Sequence, residues 1–267
     1  MLVVDLDGTA LHGFDRLRPE DVEAALELKR LGVHVTIATG RLLAGTRWVA
    51  EALGVDGTVA VMNGSSRFDV GRDTVVHADA FALDVQAGIA EVLEAHGVAG
   101  FLFGLEAIHV HRDHEHFHDY LRIWTPTLVE HEGEAWHRAS DTLAIGGVGE
   151  HERVHAAGRQ LAGTLPAVAT KFFDTFRGER FVELRASHHD KGTALRAMAA
   201  ERGLEPADVV AVGDWWNDIP MLEVAGQSWA MGGATPEVVA VADGQLDART
   251  REGGAIAELA RRIWDVR

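Results

Sequence analysis

The first nine residues constrain the chain most: a short apolar run, Leu2, Val3 and Val4, ends in Asp5-Leu6-Asp7-Gly8-Thr9. β-Branched residues stopped by a glycine read as a buried strand followed by a tight turn. In an open α/β sheet, the crevice beyond the strand ends is where ligands bind. Asp5 and Asp7 are two apart, so an undisturbed strand would put both carboxylates on one face of the pleat. Two anions side by side repel each other unless a cation or a shared proton intervenes. A hard divalent ion with oxygen ligands, most naturally magnesium, relieves that repulsion and brings a phosphate with it. One carboxylate can then attack phosphorus while the other moves protons. The competing interpretation is a turn in which both carboxylates merely cap backbone amides.

The pattern repeats downstream. Pro19-Glu20-Asp21, followed by Val22, Ala25, Leu26 and Leu31 at helical spacing, predicts a helix with proline and acids in its first turn, ended by Gly32. Residues 33–38 predict a second buried strand, stopping at Thr39-Gly40-Arg41 before a helix over 42–53. That is a β-α-β unit whose second tip faces the same crevice, where the Thr39 hydroxyl and free amides suit a phosphate oxygen, or simply cap the helix. A third strand, residues 58–62, ends at Asn63-Gly64. A fourth, residues 209–212, ends in Gly213-Asp214-Trp215-Trp216-Asn217-Asp218, a further acidic tip, after a helix that Lys191-Gly192 opens.

Between them the character changes. Hairpin-like pieces over 67–76 lead to a helix at 84–96, strands at 100–105 and 107–111, and a helix around 115–123. A strand at 142–146, a helix at 151–161 and a strand pair at 168–175 and 180–185 follow. Hairpins mixed with helices predict an α+β insertion with a largely antiparallel sheet. The expected organisation is a discontinuous core, residues 1–81 and 187–267, interrupted by a domain over 82–186. After the fourth core strand come a helix over 219–225, a short strand at 228–231, a helix over 236–242 and a closing helix at 255–264.

Composition narrows the function. Against 25 Lys and Arg stand 41 Asp and Glu, a net charge of −16, which repels nucleic acid and anionic membrane surfaces. No cysteine is present, so thiolate metal sites and disulfides are excluded. The stretch after Met1 has no basic-then-apolar leader and the chain no run of about 18 apolar residues, so the expected location is the cytoplasm.

Two or three carboxylates for magnesium, a Lys ammonium and a Thr hydroxyl for phosphoryl oxygens, and an attacking Asp are the parts that phosphoryl transfer needs. In order and spacing, Asp5-Leu6-Asp7-Gly8-Thr9, Thr39-Gly40-Arg41, Lys191-Gly192 and Gly213-Asp214 with Asn217-Asp218 resemble the four motifs of the haloacid dehalogenase superfamily. The insertion, with the Asn63-Gly64 and Glu183-Leu184 stretches around it, is similar to the Cof-type sugar-phosphatase branch, subfamily IIB. The resemblance implies an α/β fold, a Rossmann-like doubly wound parallel-sheet core with an inserted α+β cap domain. It also implies a magnesium-dependent phosphatase acting on a small phosphorylated metabolite, sugar phosphates first, through an aspartyl-phosphate. Asp5 would be the nucleophile and Asp7 the general acid and base. Thr39, Gly40, Lys191 and Asn217 would bind the phosphoryl group. Asp5, Asp214 and the backbone carbonyl of Asp7 would hold magnesium, with Asp218 in support. Arg41, Asn63, His188, Trp215 and Trp216 would lie on the rim of the substrate site, and cap loops would choose the substrate.

Two departures stand out. Trp215 and Trp216 occupy positions that are small or polar in many relatives, and the expectation is that one packs into the core while the other walls the site. Gly232-Gly233-Ala234 stands where an Asn often follows the first Gly. The insertion also carries His109, His111, His114, His116 and His118 within ten residues. A shared strand face for His109 and His111, and a helix face for His114 and His118, makes a metal site sterically possible, although no carboxylate-His signature accompanies them. The runs Glu130-His131-Glu132 and Glu150-His151-Glu152 read as solvated faces. A phosphomutase or a phosphatase dedicated to one glycosyl phosphate would use the same core. A regulator that binds metal or ligand without turnover is the reading from another class.

Overall fold

The structure is a computed structural model that describes residues 1–13, 15–122, 124–125, 127–175, 178–186 and 188–266. Its chain packs as two units: Met1–Gly40, Thr46–His77 and Asp190–Arg267 form one, Arg41–Gly45 and Ala78–His189 the other.

The first unit is built on a five-stranded parallel sheet in the order Gly244–Arg249, Gln227–Gly232, Val210–Gly213, Leu2–Val4, Val35–Ile37. Leu2–Val4 and Val210–Gly213 are uninterrupted apolar runs, and Val35–Ile37 is buried throughout with Thr36 between two apolar residues, because both faces of a parallel sheet are covered. On one face, Ala194, Leu195 and Met198 of the helix Lys191–Glu201 pack with Met221, Leu222, Val3 and Ala211. Thr58–Val61 continues beyond Val35–Ile37 through a parallel bridge between Ala38 and Ala60, and leads a three-stranded meander with Ser66–Asp69 and Thr74–Ala78. The edge strand Gly244–Arg249 escaped the sequence reading: Leu246 is its one buried apolar side chain, so no alternation marks it.

The second unit is a six-stranded sheet in the order Leu128–His131, Ile108–His111, Ala99–Phe103, Ala144–Gly149, Arg180–Ala186, Val168–Asp174. All its pairs are antiparallel except Leu128–His131 with Ile108–His111. The helices Leu83–Ala95 and His151–Thr164 bury Ile89, Leu93, Val154 and Leu161 against Leu102, Ile145, Val182 and Leu184.

Here the sequence reading needs two corrections. The helix expected over 115–123 is a 3-10 segment, Arg112–Phe117, followed by one α-turn, His118–Leu121; residue 123 lies outside the described residues. His114 sits in that segment with non-helical angles, so His114 and His118 do not share an α-helical face. In the Glu130-His131-Glu132 run both glutamates are exposed, as a solvated face requires, while His131 ends the edge strand Leu128–His131, where its Nε2 lies 2.9 Å from His109 Nδ1 and the two rings stack. Among the described residues, no group able to hold an ion includes His109, His111, His114, His116 or His118.

Candidate active site

Strand register decides where the chemistry gathers. Val4 lies beside Val212 on one side and Ile37 on the other. The residues that follow, Asp5, Gly213-Asp214 and Ala38-Thr39, therefore leave the sheet at the same end.

After Asp5 the chain makes a wide, irregular turn, Leu6–Ala10, closed by the Ala10 N–H donating to the Asp5 carbonyl at 3.2 Å. Gly8 takes φ +90°, and a Cβ there would overlap the Asp214 carboxylate. Only glycine lets the two acidic tips approach this closely. Thr9, fully buried, places its hydroxyl 3.5 Å from Asp214 Oδ1. The turn thus carries Asp5 inward, 4% exposed, and leaves Asp7 half-buried.

Lys191 is the first residue of its helix and is completely buried. Its mount is a capping box, in which the Thr193 N–H donates to Asp190 Oδ1 at 2.7 Å and the Asp190 N–H to the Thr193 hydroxyl at 3.0 Å. A side chain at Gly192 would meet the Pro220 carbonyl, so the glycine lets this helix start against the segment that carries Asp218. Lys191 Nζ then donates to Asp5 Oδ1 and to Asp218 Oδ1, each at 2.5 Å. Asp218 is spoken for on its other oxygen too, since Oδ2 accepts the N–H groups of Asp214 at 2.9 Å and Trp215 at 3.0 Å. Asp218 therefore holds the loop in shape, while Asp214 and Asp5 have oxygens turned to the shared space.

Charge accounting shows what the space accommodates. Asp5, Asp214 and Asp218 each offer an oxygen within 4.8 Å of the others, all buried, with a single ammonium among them. Burial, and then the Asp218 charge, push the Asp5 carboxyl well above the usual range despite Lys191. The same two causes, in the same order, lift Asp214 to about 7. Burial works to lower the Lys191 pKa, but Asp218 and Asp5 outweigh it and hold the ammonium firmly protonated. The negative charge exceeds what one lysine neutralises, and an all-oxygen donor set of this kind fits a hard divalent cation.

Beside it lies a polar cradle. Thr39 is buried; its N–H donates to the Ala60 carbonyl at 3.0 Å, and its own carbonyl accepts the Asn63 N–H at 2.8 Å. Asn63 adopts a left-handed φ of 54°, and its side-chain oxygen accepts from Asn217 Nδ2 at 2.8 Å. A Cβ at Gly40 would come within 3.4 Å of that Asn63 oxygen and 3.7 Å of Asn217 Nδ2. Thr39, Gly40, Asn63 and Asn217 are thus one group, and Asn63, expected on a rim, is built into it.

The remaining expectations fare differently. Neither indole packs into the core: Trp215 is 51% exposed and Trp216 half-buried. The inward place in that loop is taken by Asp218, whose carboxylate satisfies two amides, which an indole has no acceptor to do. Gly233 turns with φ +87°, and the Thr235 N–H reaches back to the Asp214 carbonyl at 3.4 Å. Arg41 opens the short first segment of the second unit, and His188 also belongs to that unit, against Asp79. Sequence reasoning gives Thr9 no role beyond closing the first motif, although its hydroxyl lies 3.5 Å from Asp214 Oδ1.

Comparison with known proteins follows the same lines. A family model described as haloacid dehalogenase-like hydrolase matches residues 2–258. The chain is 27% identical over 259 residues to the pyridoxal phosphate phosphatase of Escherichia coli (strain K12), covering 91% of each chain. It is 28% identical over 266 residues to the phosphoglycolate phosphatase of Methanopyrus kandleri, covering 99% of this chain and 97% of the relative. In fold it is similar to a haloacid dehalogenase-like hydrolase from Bacteroides thetaiotaomicron, with TM-score 0.86, 20% identity and 98% of both chains covered. It also matches a subclass IIB sugar phosphatase of the same superfamily, with TM-score 0.78, 20% identity and 99% of both chains covered. With four motifs in order, their side chains on one end of a parallel sheet, and a family match over nearly the whole length, the chain belongs to the haloacid dehalogenase-like hydrolases.

Proposed function

We propose that this phosphoric monoester hydrolase cleaves a small phosphorylated metabolite, a sugar phosphate first, through an aspartyl-phosphate on Asp5. The observation that carries the reading is the Lys191 ammonium, 2.5 Å from both Asp5 and Asp218 within a buried carboxylate cluster. An ion-paired but otherwise sparsely solvated carboxylate is a competent nucleophile, held in one orientation by the lysine. Magnesium fits the cluster: Asp5, Asp214 and the backbone carbonyl of Asp7 would hold it, with Asp218 in support. When bound it would supply charge neutralisation for the phosphoryl group.

The chain's own residues then divide the work. An Asp5 oxygen forms a bond to phosphorus as the bond to the leaving oxygen breaks, and Asp7 gives that oxygen its proton. Asp7 next takes a proton from water as the water oxygen attacks phosphorus; inorganic phosphate leaves and the Asp5 carboxylate is restored. Thr39, Gly40, Asn217 and Lys191 orient the phosphoryl oxygens, with Asn63 fixing the Asn217 amide. The half-exposed Trp215, one residue from Asp214, offers a flat apolar surface to the rest of the substrate.

The experiment is a release assay. Sugar phosphates, phosphoglycolate, pyridoxal phosphate and nucleoside monophosphates are assayed for free phosphate with and without magnesium, for the wild type and Asp5→Asn. The expected result is magnesium-dependent release, strongest on a sugar phosphate and reduced to background by Asp5→Asn. Undiminished hydrolysis by that variant overturns the assignment, and a preference for a non-sugar ester overturns the substrate class alone.

A further inference from the structure

Just before the Lys191-Gly192 motif, two consecutive histidines meet Asp79, more than a hundred residues away in sequence. His188 Nε2 lies 2.9 Å and His189 Nε2 2.8 Å from the same oxygen, Asp79 Oδ2. Successive side chains of an extended strand point to opposite faces. Here, in the turn after the strand Arg180–Ala186, the two rings lie 4.0 Å apart and converge. We propose that Asp79, His188 and His189 bind one divalent transition-metal ion of the zinc type.

The donor set is two imidazole nitrogens and one carboxylate oxygen, with all three ligand atoms within 4.8 Å of one another. Borderline ions such as Zn²⁺ and Co²⁺ favour this combination, whereas Mg²⁺ prefers oxygen alone. A tetrahedral ion with bonds of about 2.0–2.1 Å needs its donors about 3.3 Å apart. Each imidazole therefore opens from Asp79 by about half an ångström to admit it. The burial gradient permits this: the His189 side chain is 11% exposed and anchors the site, Asp79 is 35% exposed, and His188, 68% exposed, is free to swing. The fourth position is left to water. An ordinary hydrogen-bonded carboxylate would be served by one imidazole and solvent. Two imidazoles presenting the same nitrogen to one point make a chelate.

Placement gives the site a consequence. Ala78 begins the long segment of the second unit, and His189 ends it. An ion held by Asp79, His188 and His189 would clip the two ends of that segment together. Nothing in this depends on the phosphatase reading, because none of the three residues belongs to the carboxylate cluster.

The test is equilibrium dialysis of the full chain against Co²⁺ in excess Mg²⁺, which competes for all-oxygen sites, with the visible absorption of the retained ion recorded. The wild type should retain one equivalent, with the intense bands of four-coordinate cobalt. His188→Ala and Asp79→Asn should each weaken retention by about 100-fold or more, while Asp214→Asn leaves it unchanged. His188 is exposed, so its loss does not threaten folding, and that variant decides the matter if Asp79→Asn proves unstable. No retained cobalt in the wild type, or retention that survives in His188→Ala, overturns the site.

Discussion

Gly8 stands against Asp214: at φ +90° its missing Cβ is the space that the Asp214 carboxylate occupies. The relationship couples two loops that are some two hundred residues apart in sequence. Gly8→Ala imposes both a strained backbone and a displaced carboxylate, so stability should fall by about 1–3 kcal/mol from the strain alone. Urea unfolding in EDTA measures the loss, and phosphate release by the same variant should fall more than its folded fraction does. A variant as stable and as active as the wild type would show that the loops do not depend on this approach.

The acids of the cluster make a pH prediction. Asp214 titrates at about 7 in the folded protein against 3.8 as its ordinary value, and Asp5 is raised as well. A carboxyl raised on folding binds its proton more tightly in the native state. Its contribution is therefore fully present below about pH 4 and lost as pH rises through about 7. Without divalent ions, the wild type should lose stability relative to Asp214→Asn between pH 4 and 8, read as the difference in urea midpoint. Magnesium should raise the melting temperature more at pH 8 than at pH 5, since protons compete for the same oxygens. A pH-independent difference would mean that the carboxylates are not crowded in solution.

Asp21 supplies a prediction outside the site. It is fully buried in the first turn of Pro19–Arg30, yet its oxygens accept the N–H groups of Gly254 at 2.6 Å and Ala257 at 2.9 Å. It caps the closing helix Ala255–Trp264 from the other end of the chain. Asp21→Ala strands two amides, and unfolding should be easier by about 1–3 kcal/mol, with kcat/KM of the folded enzyme unchanged. Loss of activity without loss of stability would contradict that role.

Asp21 also shows where the sequence is silent. It reads as a first-turn acid of its own helix, because nothing local says that the last helix will arrive beside it. The motif residues were legible for the opposite reason: Asp5, Thr39 and Asp214 each end an apolar strand, so one-dimensional spacing reports a shared crevice directly. The strands at Leu2–Val4 and Val210–Gly213 announced themselves as continuous apolar runs and Val35–Ile37 as a β-branched one, while Gly244–Arg249 and Leu128–His131, both edge strands, carry too few buried side chains to show a period. The Trp pair misled because burial of an indole is a sound default, and the loop gave its inner place to Asp218. The convergence of Asp79 with His188 and His189 depends on a turn geometry that no spacing encodes.

The central claim is that Asp5 carries the phosphoryl group. Asp7→Asn should slow turnover by about 10²–10⁴ while still allowing an activated ester, para-nitrophenyl phosphate, to load the enzyme. The most direct measurement is to quench that reaction, reduce the acyl phosphate with borohydride, and map the modified residue by peptide mass spectrometry. The account predicts homoserine at position 5, formed together with a stoichiometric burst of nitrophenolate. A burst with the label on any other residue, or with position 5 unmodified, would contradict it.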